Sequence, residues 1–221
     1  HRRPAHSVGV PYAFDANVLS CTPATVVGLP QSMVREAGMF ELLAAEMRIA
    51  ELEAELAEAS AAACTDPLTG ALNRRGFDNA SRRELSRARR SGAPLALVHV
   101  DLDDFKQVND TFGHQVGDRA LCQLVSVLQR SMRPSDVLCR FGGEEFVLMF
   151  PETSLQSATK AVARFLREFS AQTIPGTRRS MTFSAGVVVV RPDESLEDAI
   201  QRADAATYAA KSAGKNCVVA G

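Results

Sequence analysis

The segment RFGGEEF at residues 140–146 separates two apolar runs, VLC at 137–139 and VLMF at 147–150. Two strand-like runs joined by Gly-Gly predict a β-hairpin in which both glycines can adopt positive φ at the tip. Because side chains alternate along a strand, Glu144 and Glu145 are expected to point to opposite faces. Hairpin formation does not need two adjacent carboxylates. The segment therefore indicates either a solvated turn or a site for a phosphate and a divalent cation.

A second acidic group follows the apolar residues 94–101, which predict a strand buried on both faces. Asp101, Asp103 and Asp104 lie at the end of this run, where open α/β sheets place ligand sites. Asp103 or Asp104 could instead cap the following helix. Capping is a weaker explanation for Asp101, which lies one residue past the apolar run, where a charge needs a partner or a metal.

Periodicity and capping residues predict the order β-α-α-β-β-α-β-α-β from residue 94 onward. Helices are expected at 117–132, at 155–171 after the capping box TSLQ of 153–156, and at 195–214. Later strands are expected at 181–190, interrupted by SAG at 184–186, and at 217–220 on the sheet edge. This order predicts an α+β fold with a ferredoxin-like, palm-type antiparallel sheet flanked by helices, in which Asp101 and Glu144 lie side by side.

A long helix is expected before this domain, at about residues 32–63, and a proline at 67 ends it. Its apolar residues recur at alternating spacings of three and four, which is the pattern of a coiled-coil seam. The seam residues are Leu42, Ala45, Ile49, Leu52, Leu56, Ala59 and Ala63. The pattern favours a parallel coiled coil with a second copy over a helix that packs on its own domain. We expect three parts: a linker or tail of a missing upstream domain (1–31), a stalk helix (32–64) and a catalytic domain (65–221).

Composition limits the remaining possibilities. The 221 residues are 46% hydrophobic and carry a net charge of −1, so nothing favours binding to nucleic acid or to a membrane surface. The five scattered cysteines indicate neither disulfides nor a zinc site, and a cytoplasmic location is expected. No apolar run approaches the roughly 20 residues of a membrane span. The chain starts at His1 rather than at methionine, which favours a fragment.

Five segments in order resemble one family, the GGDEF-domain diguanylate cyclases, in its GGEEF variant. The segments are DPLTG with NRR at 66–75, DLDDFK with ND, GH and GD at 101–118, RFGGEEF at 140–146, SAG at 184–186 and AD, Y, K and GKN at 203–216. Their joint occurrence is far more specific than any single motif. The resemblance implies condensation of two GTP molecules to cyclic di-GMP with release of two pyrophosphates.

The resemblance also implies roles for the acidic residues. Asp101, the Leu102 carbonyl and Glu144 are expected to hold Mg²⁺ or Mn²⁺ on the triphosphate. Glu145 is expected to bind a second metal or to activate the ribose 3′-OH that attacks the other GTP.

The implied GTP site extends to cationic, glycine and polar residues. Its phosphate contacts are expected from Lys106, Lys211 and Lys215, with Gly142 and Gly143 leaving the backbone open. Relatives often have arginine where Lys215 stands, and lysine retains the charge without bidentate geometry.

Phe105 belongs to the implied substrate site, and Asn109 and Asp118 are the expected readers of the guanine edge. A carboxylate accepts from the guanine N1–H and N2–H₂ together, a donor pair that adenine lacks, so GTP is the expected sole substrate. The alternative role for Asp118 is a helix cap.

Arg133 and Asp136 match the family's product-inhibition motif RxxD, and Arg164 matches a further arginine of that site. Arginine suits the phosphates and Hoogsteen edges of cyclic di-GMP. The alternative for Arg133 and Asp136 is a local surface ion pair. Because one domain holds one GTP, we expect a homodimer, formed through the N-terminal helix and cross-linked by product.

Two other functions remain open. An inactive GGDEF domain could serve as a cyclic di-GMP receptor through Arg133 and Asp136, although the intact Asp101, Glu144 and Glu145 argue against it. A purely structural dimerisation module would explain the helix but none of the later motifs.

Overall fold

The computed structural model describes residues 31–221, and within the first helix it describes side chains at 39–60 and from 63 onward. The linker predicted for residues 1–31 lies outside the described residues, apart from its last residue. The chain divides into two compact units, one ending at Leu52 and one spanning Glu53–Gly221. The helices and strands in chain order are α1 (Gln31–Cys64), α2 (Arg74–Ser91), β1 (Ala96–Leu102), α3 (Phe105–Phe112), α4 (His114–Ser131), β2 (Val137–Arg140), β3 (Glu145–Phe150), α5 (Leu155–Ser170), β4 (Phe183–Val189), α6 (Leu196–Ser212) and β5 (Val218–Ala220).

The second unit is built on a five-stranded sheet with the order β2-β3-β1-β4-β5. β1 pairs antiparallel with β3 and with β4, and β2 pairs antiparallel with β3. Only the last pair, β4 with β5, is parallel, so the sheet is mixed at that edge. The predicted element order and the α+β, ferredoxin-like fold are confirmed.

The central strand β1 is buried along all seven residues, as its apolar sequence predicts. Its residues alternate between two apolar clusters, as the period of a strand requires. Val98 and Val100 pack in the cluster that contains Leu124 of α4 and Phe165 of α5. Leu97 packs in the other cluster, which contains residues of α2 and α6. The sheet is therefore covered by helices on both faces.

Several details differ from the sequence-based expectations. α4 begins at His114 and not at Gly117, because Gly113 already provides the turn that separates it from α3. β4 runs without interruption through residues 184–186, since Ser184, Ala185 and Gly186 all pair with β1. α5 is capped by Ser154, whose side chain accepts from the Ser157 N–H, and not by the expected Thr153.

Helix α1 has the predicted extent, from Gln31 to Cys64, and ends immediately before Asp66 and Pro67. The large seam side chains are exposed, at 60% for Leu42, 55% for Ile49, 48% for Leu52 and 67% for Leu56. In the described part of the chain, no helix is long and apolar enough to cross a membrane.

Candidate active site

The C-terminal end of β1 and the turn between β2 and β3 lie next to each other, at the same end of the strands. The Leu102 N–H donates to the Glu144 carbonyl at 3.3 Å, and the register places Asp101 directly opposite Glu145. The register therefore differs by one residue from the predicted pairing of Asp101 with Glu144, although the Asp101 carboxylate is still close enough to raise the pKa of Glu144. The reason is the turn: the N–H groups of Phe141 and Gly142 both donate to the Glu145 carbonyl, at 2.8 and 3.2 Å, so β3 begins at Glu145.

The backbone of the two glycines in the turn differs from that of a two-residue hairpin tip. Among the described residues, Gly142 and Gly143 do not appear with those of positive φ, so that expectation is wrong. A Cβ added at Gly142 would collide with Oε2 of Glu145, whereas one added at Gly143 would meet nothing within 4 Å. Glycine at 142 thus lets the Glu145 carboxylate fold back over the turn.

Asp101 is 8% exposed, and its two carboxylate oxygens have different surroundings. Oδ2 lies 2.6 Å from Nζ of Lys211, whereas Oδ1 is buried and has no hydrogen-bond partner among the described residues. Burial, and then the neighbouring carboxylate of Asp101, raise the pKa of Glu144 above its ordinary value, with Lys211 opposing them. An orphaned carboxylate oxygen beside a carboxylate that is difficult to ionise is an arrangement that a divalent cation would stabilise.

The carboxylates do not form a complete metal cage by themselves. Among the described residues, no group of three or more His, Cys, Asp and Glu side chains is arranged to hold a metal ion. A cation here would bind to Asp101 and Glu144 together with the Leu102 carbonyl, and nucleotide phosphate oxygens would complete its shell.

His99 is a buried neighbour of Glu145 that the sequence did not single out. Its Nε2 lies 3.9 Å from Oε1 of Glu145, and its Nδ1 lies 3.1 Å from Oγ1 of Thr207 and 3.7 Å from Oδ1 of Asp204. The Thr207 hydroxyl lies 3.0 Å from two carbonyl oxygens and can donate to either, which favours an Nδ1–H tautomer that donates to Thr207. Burial lowers the pKa of His99, so the ring is neutral at pH 7. The sequence feature that could have identified His99 is its position two residues before Asp101 in an apolar strand.

Lysines lie at the same end of the strands as these carboxylates. Nζ of Lys215 lies 2.6 Å from Oδ1 of Asp104, and Lys211 contacts Asp101 as described. Lys106 is exposed in the first turn of α3. The structure therefore gathers positive charge beside the carboxylates, as a triphosphate site needs. Asp104 makes no side-chain cap hydrogen bond to α3, so its predicted capping role is wrong.

The residues predicted to read guanine lie on α3 and α4. Oδ1 of Asn109 is buried, and no described residue donates a hydrogen bond to it, so this acceptor is available to a ligand. A Cβ at Gly117 would collide with that oxygen and would lie 3.1 Å from the Phe105 ring. Glycine at 117 therefore leaves the space that Asn109 and Phe105 occupy. Asp118 is exposed in the fifth position of α4, and the N-cap residue is Gly113, so the capping alternative for Asp118 is wrong.

Arg140 braces the turn, a contact that the sequence did not reveal. Its Nη2 and Nε donate to the Gly143 carbonyl at 2.8 and 3.2 Å, and its Nη1 lies 3.1 Å from Oδ2 of Asp66. The same Asp66 oxygen accepts from the backbone N–H and the hydroxyl of Thr69, at 2.9 and 2.6 Å. Burial acts to raise the pKa of Asp66, but the hydrogen bonds from Thr69 and Arg140 hold it below its ordinary value.

A cavity of about 330 Å³ away from these carboxylates is lined by the three residues predicted for product inhibition. Arg133 and Asp136 line it from the loop after α4, and Arg164 lines it from α5. Oδ2 of Asp136 accepts from the backbone N–H of Arg133 at 2.8 Å, so the contact between these residues is a loop hydrogen bond. Burial raises the pKa of Asp136.

Comparison with known proteins identifies the family. Residues 63–217 match the sequence model described as diguanylate cyclase, GGDEF domain. Diguanylate cyclase DgcP of Pseudomonas aeruginosa is 39% identical over 156 residues, which are 70% of this chain and 23% of DgcP. Probable diguanylate cyclase DgcC of Escherichia coli is 38% identical over 153 residues, 68% of this chain and 41% of DgcC. The chain thus spans less than half the length of these curated relatives.

A solved structure gives the same result. The crystal structure of the coiled coil and GGDEF domain of DgcB from Caulobacter crescentus, in complex with c-di-GMP, superposes with a TM-score of 0.77 at 31% identity. The match covers 83% of this chain and 98% of that one. With the matched sequence model, these likenesses show that the chain belongs to the GGDEF family of diguanylate cyclase domains.

Proposed function

We propose that this chain condenses two GTP molecules into cyclic di-GMP and releases two pyrophosphates. The observation that carries the proposal is the pairing of Asp101 with Glu145 at the end of two inner strands, where the buried Oδ1 of Asp101 has no hydrogen-bond partner in the described part of the chain. Lys211 on α6 and Lys215 just after it supply positive charge at that end of the strands. Carboxylates, a cation and lysines beside an open turn suit phosphoryl transfer, in which positioning and charge neutralisation dominate.

Mg²⁺, or Mn²⁺ in its place, would be held by Asp101, Glu144 and the Leu102 carbonyl, with Glu145 available for a second ion. When bound, such a cation neutralises the triphosphate and stabilises the charge that develops on it. The chain fits this role because burial and Asp101 already raise the pKa of Glu144, so a nearby positive charge would favour its ionised form.

Glu145 would accept the proton of the ribose 3′-OH. The oxygen then bonds to the α-phosphorus of the other GTP, and the bond from that phosphorus to the pyrophosphate oxygen breaks. Gly142 leaves room for the Glu145 carboxylate, and the hydrogen bonds of Phe141 and Gly142 to its carbonyl fix its backbone. These contacts support Glu145 as the preorganised base on which the proposed step depends.

The rest of the nucleotide would lie between the lysines and the pair of helices α3 and α4. Lys106, Lys211 and Lys215 would bind the β- and γ-phosphates beside Gly142 and Gly143. Phe105, Asn109 and Asp118 would form the base site, with the free acceptor of Asn109 and the carboxylate of Asp118 accepting from guanine. Adenine lacks the matching donors, so GTP is the substrate.

One domain holds one GTP, so turnover needs two domains facing each other. The exposed apolar seam of α1 supplies a surface for a second copy, which would raise the effective concentration of domains to the millimolar range. The likeness to a DgcB structure that includes a coiled coil supports this role for α1.

The cavity of Arg133, Asp136 and Arg164 would bind the product and inhibit the enzyme. Two guanidinium groups and a carboxylate around one cavity can pair with the phosphates and guanine edges of cyclic di-GMP. The same cavity would also serve a receptor without activity, which is the alternative function.

The deciding experiment removes any bound product, incubates the protein at high concentration with GTP and Mg²⁺, and separates the nucleotides by chromatography. Formation of cyclic di-GMP supports the enzyme. Binding of added cyclic di-GMP without any formation from GTP would establish the receptor instead. In the enzyme, an Arg133→Ala variant should retain turnover and lose inhibition by added product. Unchanged inhibition would remove the proposed inhibitory site.

A further inference from the structure

Asp103 is a buried carboxylate that the proposed mechanism leaves unused. It is 6% exposed, and it accepts hydrogen bonds from two separate parts of the chain. Oδ2 accepts from the Thr182 hydroxyl at 2.6 Å and from the Asn216 N–H at 3.0 Å, and Oδ1 accepts from the Ser184 hydroxyl at 2.7 Å. Three donors around one buried carboxylate make a rigid junction between the end of β1, the start of β4 and the turn after α6.

That turn has an unfavourable backbone. Gly214, Lys215 and Asn216 have φ angles of +117°, +64° and +50°, and the last two residues are not glycine. Non-glycine residues in the left-handed region persist only where their surroundings hold them. The bond from the Asn216 N–H to Asp103 is such a restraint. The next residues also anchor the turn, because the Ala185 N–H donates to the Cys217 carbonyl at 3.1 Å.

The turn carries Lys215 to the phosphate end of the proposed site. Its ammonium lies 2.6 Å from Asp104, the residue that follows Asp103. We propose that Asp103 is a positioning residue for the triphosphate: by fixing the turn at 214–216, it places the Lys215 ammonium where the terminal phosphates bind. The inference rests on the proposed function, and it gives Ser184 of the SAG segment a role as a donor that orients Asp103.

A double-mutant cycle tests this coupling. The ligand is 3′-deoxy-GTP, which binds without reacting because it lacks the attacking hydroxyl, and titration calorimetry with Mg²⁺ gives its Kd. Lys215→Ala and Asp103→Asn should each weaken binding about tenfold, the scale of one hydrogen bond to a charged group. If Asp103 acts through Lys215, the double variant should bind 3′-deoxy-GTP no more than about twentyfold more weakly than the wild type does. A loss near a hundredfold, or wild-type binding by Asp103→Asn, would overturn the proposal.

A second ligand separates positioning from a general structural role. 3′-Deoxy-GMP has no β- or γ-phosphate, so its affinity should change by less than about twofold in Asp103→Asn. Equal losses for both nucleotides would show that Asp103 only supports the fold, which contradicts the proposal. Asp193→Asn is the matched control, because Asp193 is exposed at the opposite end of the strands, in the loop between β4 and α6.

Two further measurements keep the test decisive. If circular dichroism shows that Asp103→Asn is unfolded, Thr182→Val replaces it, since Thr182 donates to the same oxygen as Asn216. The cycle with Lys215→Ala should then show the same lack of additivity, and full additivity would refute the coupling. Formation of cyclic di-GMP from GTP by the wild type is measured separately. Its absence would refute the proposed function, whereas the binding cycle alone decides the role of Asp103.

Discussion

Glu145 shows how the surroundings of one side chain define its chemistry. Its backbone carbonyl closes the turn, its carboxylate occupies space that a Cβ at Gly142 would take, and His99 lies 3.9 Å from Oε1. The register sets Asp101 directly opposite. These contacts fix the position of the residue, while its side chain stays 43% exposed and can be reached by the ribose hydroxyl of the proposed reaction.

Replacing Glu145 by alanine should therefore lower turnover by about 10²- to 10⁴-fold, the usual contribution of a positioned general base. Binding of cyclic di-GMP to the cavity of Arg133 should remain, because that cavity contains no part of the turn. Initial rates and product affinity are the two measurements. Turnover within tenfold of the wild type would exclude the proposed role, and loss of both properties would indicate misfolding.

The sequence predicted the chemical types at this site better than their contacts. The motif spacings brought Asp101, Glu144 and Glu145 to one end of the strands. They could not show which glutamate faces Asp101, because that register depends on two backbone hydrogen bonds within the turn. The role of Asp103 was equally hidden, since its three donors come from residues about 80 and 113 positions later in the chain.

Among the elements, the Arg140 guanidinium connects the start of the domain to the turn between β2 and β3. It contacts Asp66 near the end of α1 and the Gly143 carbonyl at the hairpin tip. Asp66 is a partly buried acceptor of four hydrogen bonds, from Arg140 and from Thr69. The brace is therefore a candidate determinant of the stability of both segments.

Asp66→Asn should lower the free energy of unfolding by about 1–2 kcal/mol near neutral pH. The pKa of Asp66 in the folded state lies below its ordinary value of 3.8, so its ionised form stabilises the fold above that value. This contribution disappears as the pH falls through the folded-state pKa. Urea unfolding of both proteins from about pH 6 to about pH 3 should show a difference that shrinks toward the acid end. A difference that stays constant or grows would show that the ionised Asp66 carboxylate does not stabilise the fold.

The close packing of α6 on β4 depends on Gly186. A Cβ at this position would collide with the Ala203 carbonyl and would lie 2.6 Å from the Thr207 backbone nitrogen. Gly186→Ala should therefore cost about 1–3 kcal/mol of unfolding free energy, as overpacking does. Gly143→Ala is the matched control, with nothing within 4 Å of its Cβ and an expected change below about 0.5 kcal/mol. Equal effects of the two substitutions would show that the packing argument is wrong.

Element order was the most predictable feature of the fold. Period-2 and period-3.6 patterns, the capping box at 153–156 and the helix start at Ser195 were sufficient for it. The ends of helices and strands were less predictable where the same residues fit two different assignments. The start of α4 at His114 depends on the φ of +83° at Gly113, and the continuity of β4 through Gly186 depends on pairing with β1.

At the scale of the whole molecule, the proposed chemistry needs a second copy. Leu52 and Leu56 of the α1 seam are 48% and 67% exposed in the single chain, so apolar surface is available for pairing. Charges there oppose a coiled coil because seam positions become buried when two helices associate.

Leu52→Glu combined with Leu56→Glu should raise the protein concentration that gives half-maximal specific activity, by about tenfold or more. Ala57→Glu is the control, because Ala57 lies on the same exposed helix outside the seam. Specific activity is measured across a dilution series for each protein. An unchanged concentration dependence in the double variant would show that α1 does not bring two copies together.

The most direct test of the central claim is a quantitative balance of the reaction. The product-free wild type is incubated with GTP and Mg²⁺, and GTP, pyrophosphate and cyclic di-GMP are quantified over time, with Glu145→Ala in parallel. We expect two pyrophosphates and one cyclic di-GMP for every two GTP consumed by the wild type, and almost no product from the variant. Pyrophosphate release without cyclic di-GMP, or no consumption of GTP at any protein concentration, would contradict the proposed reaction.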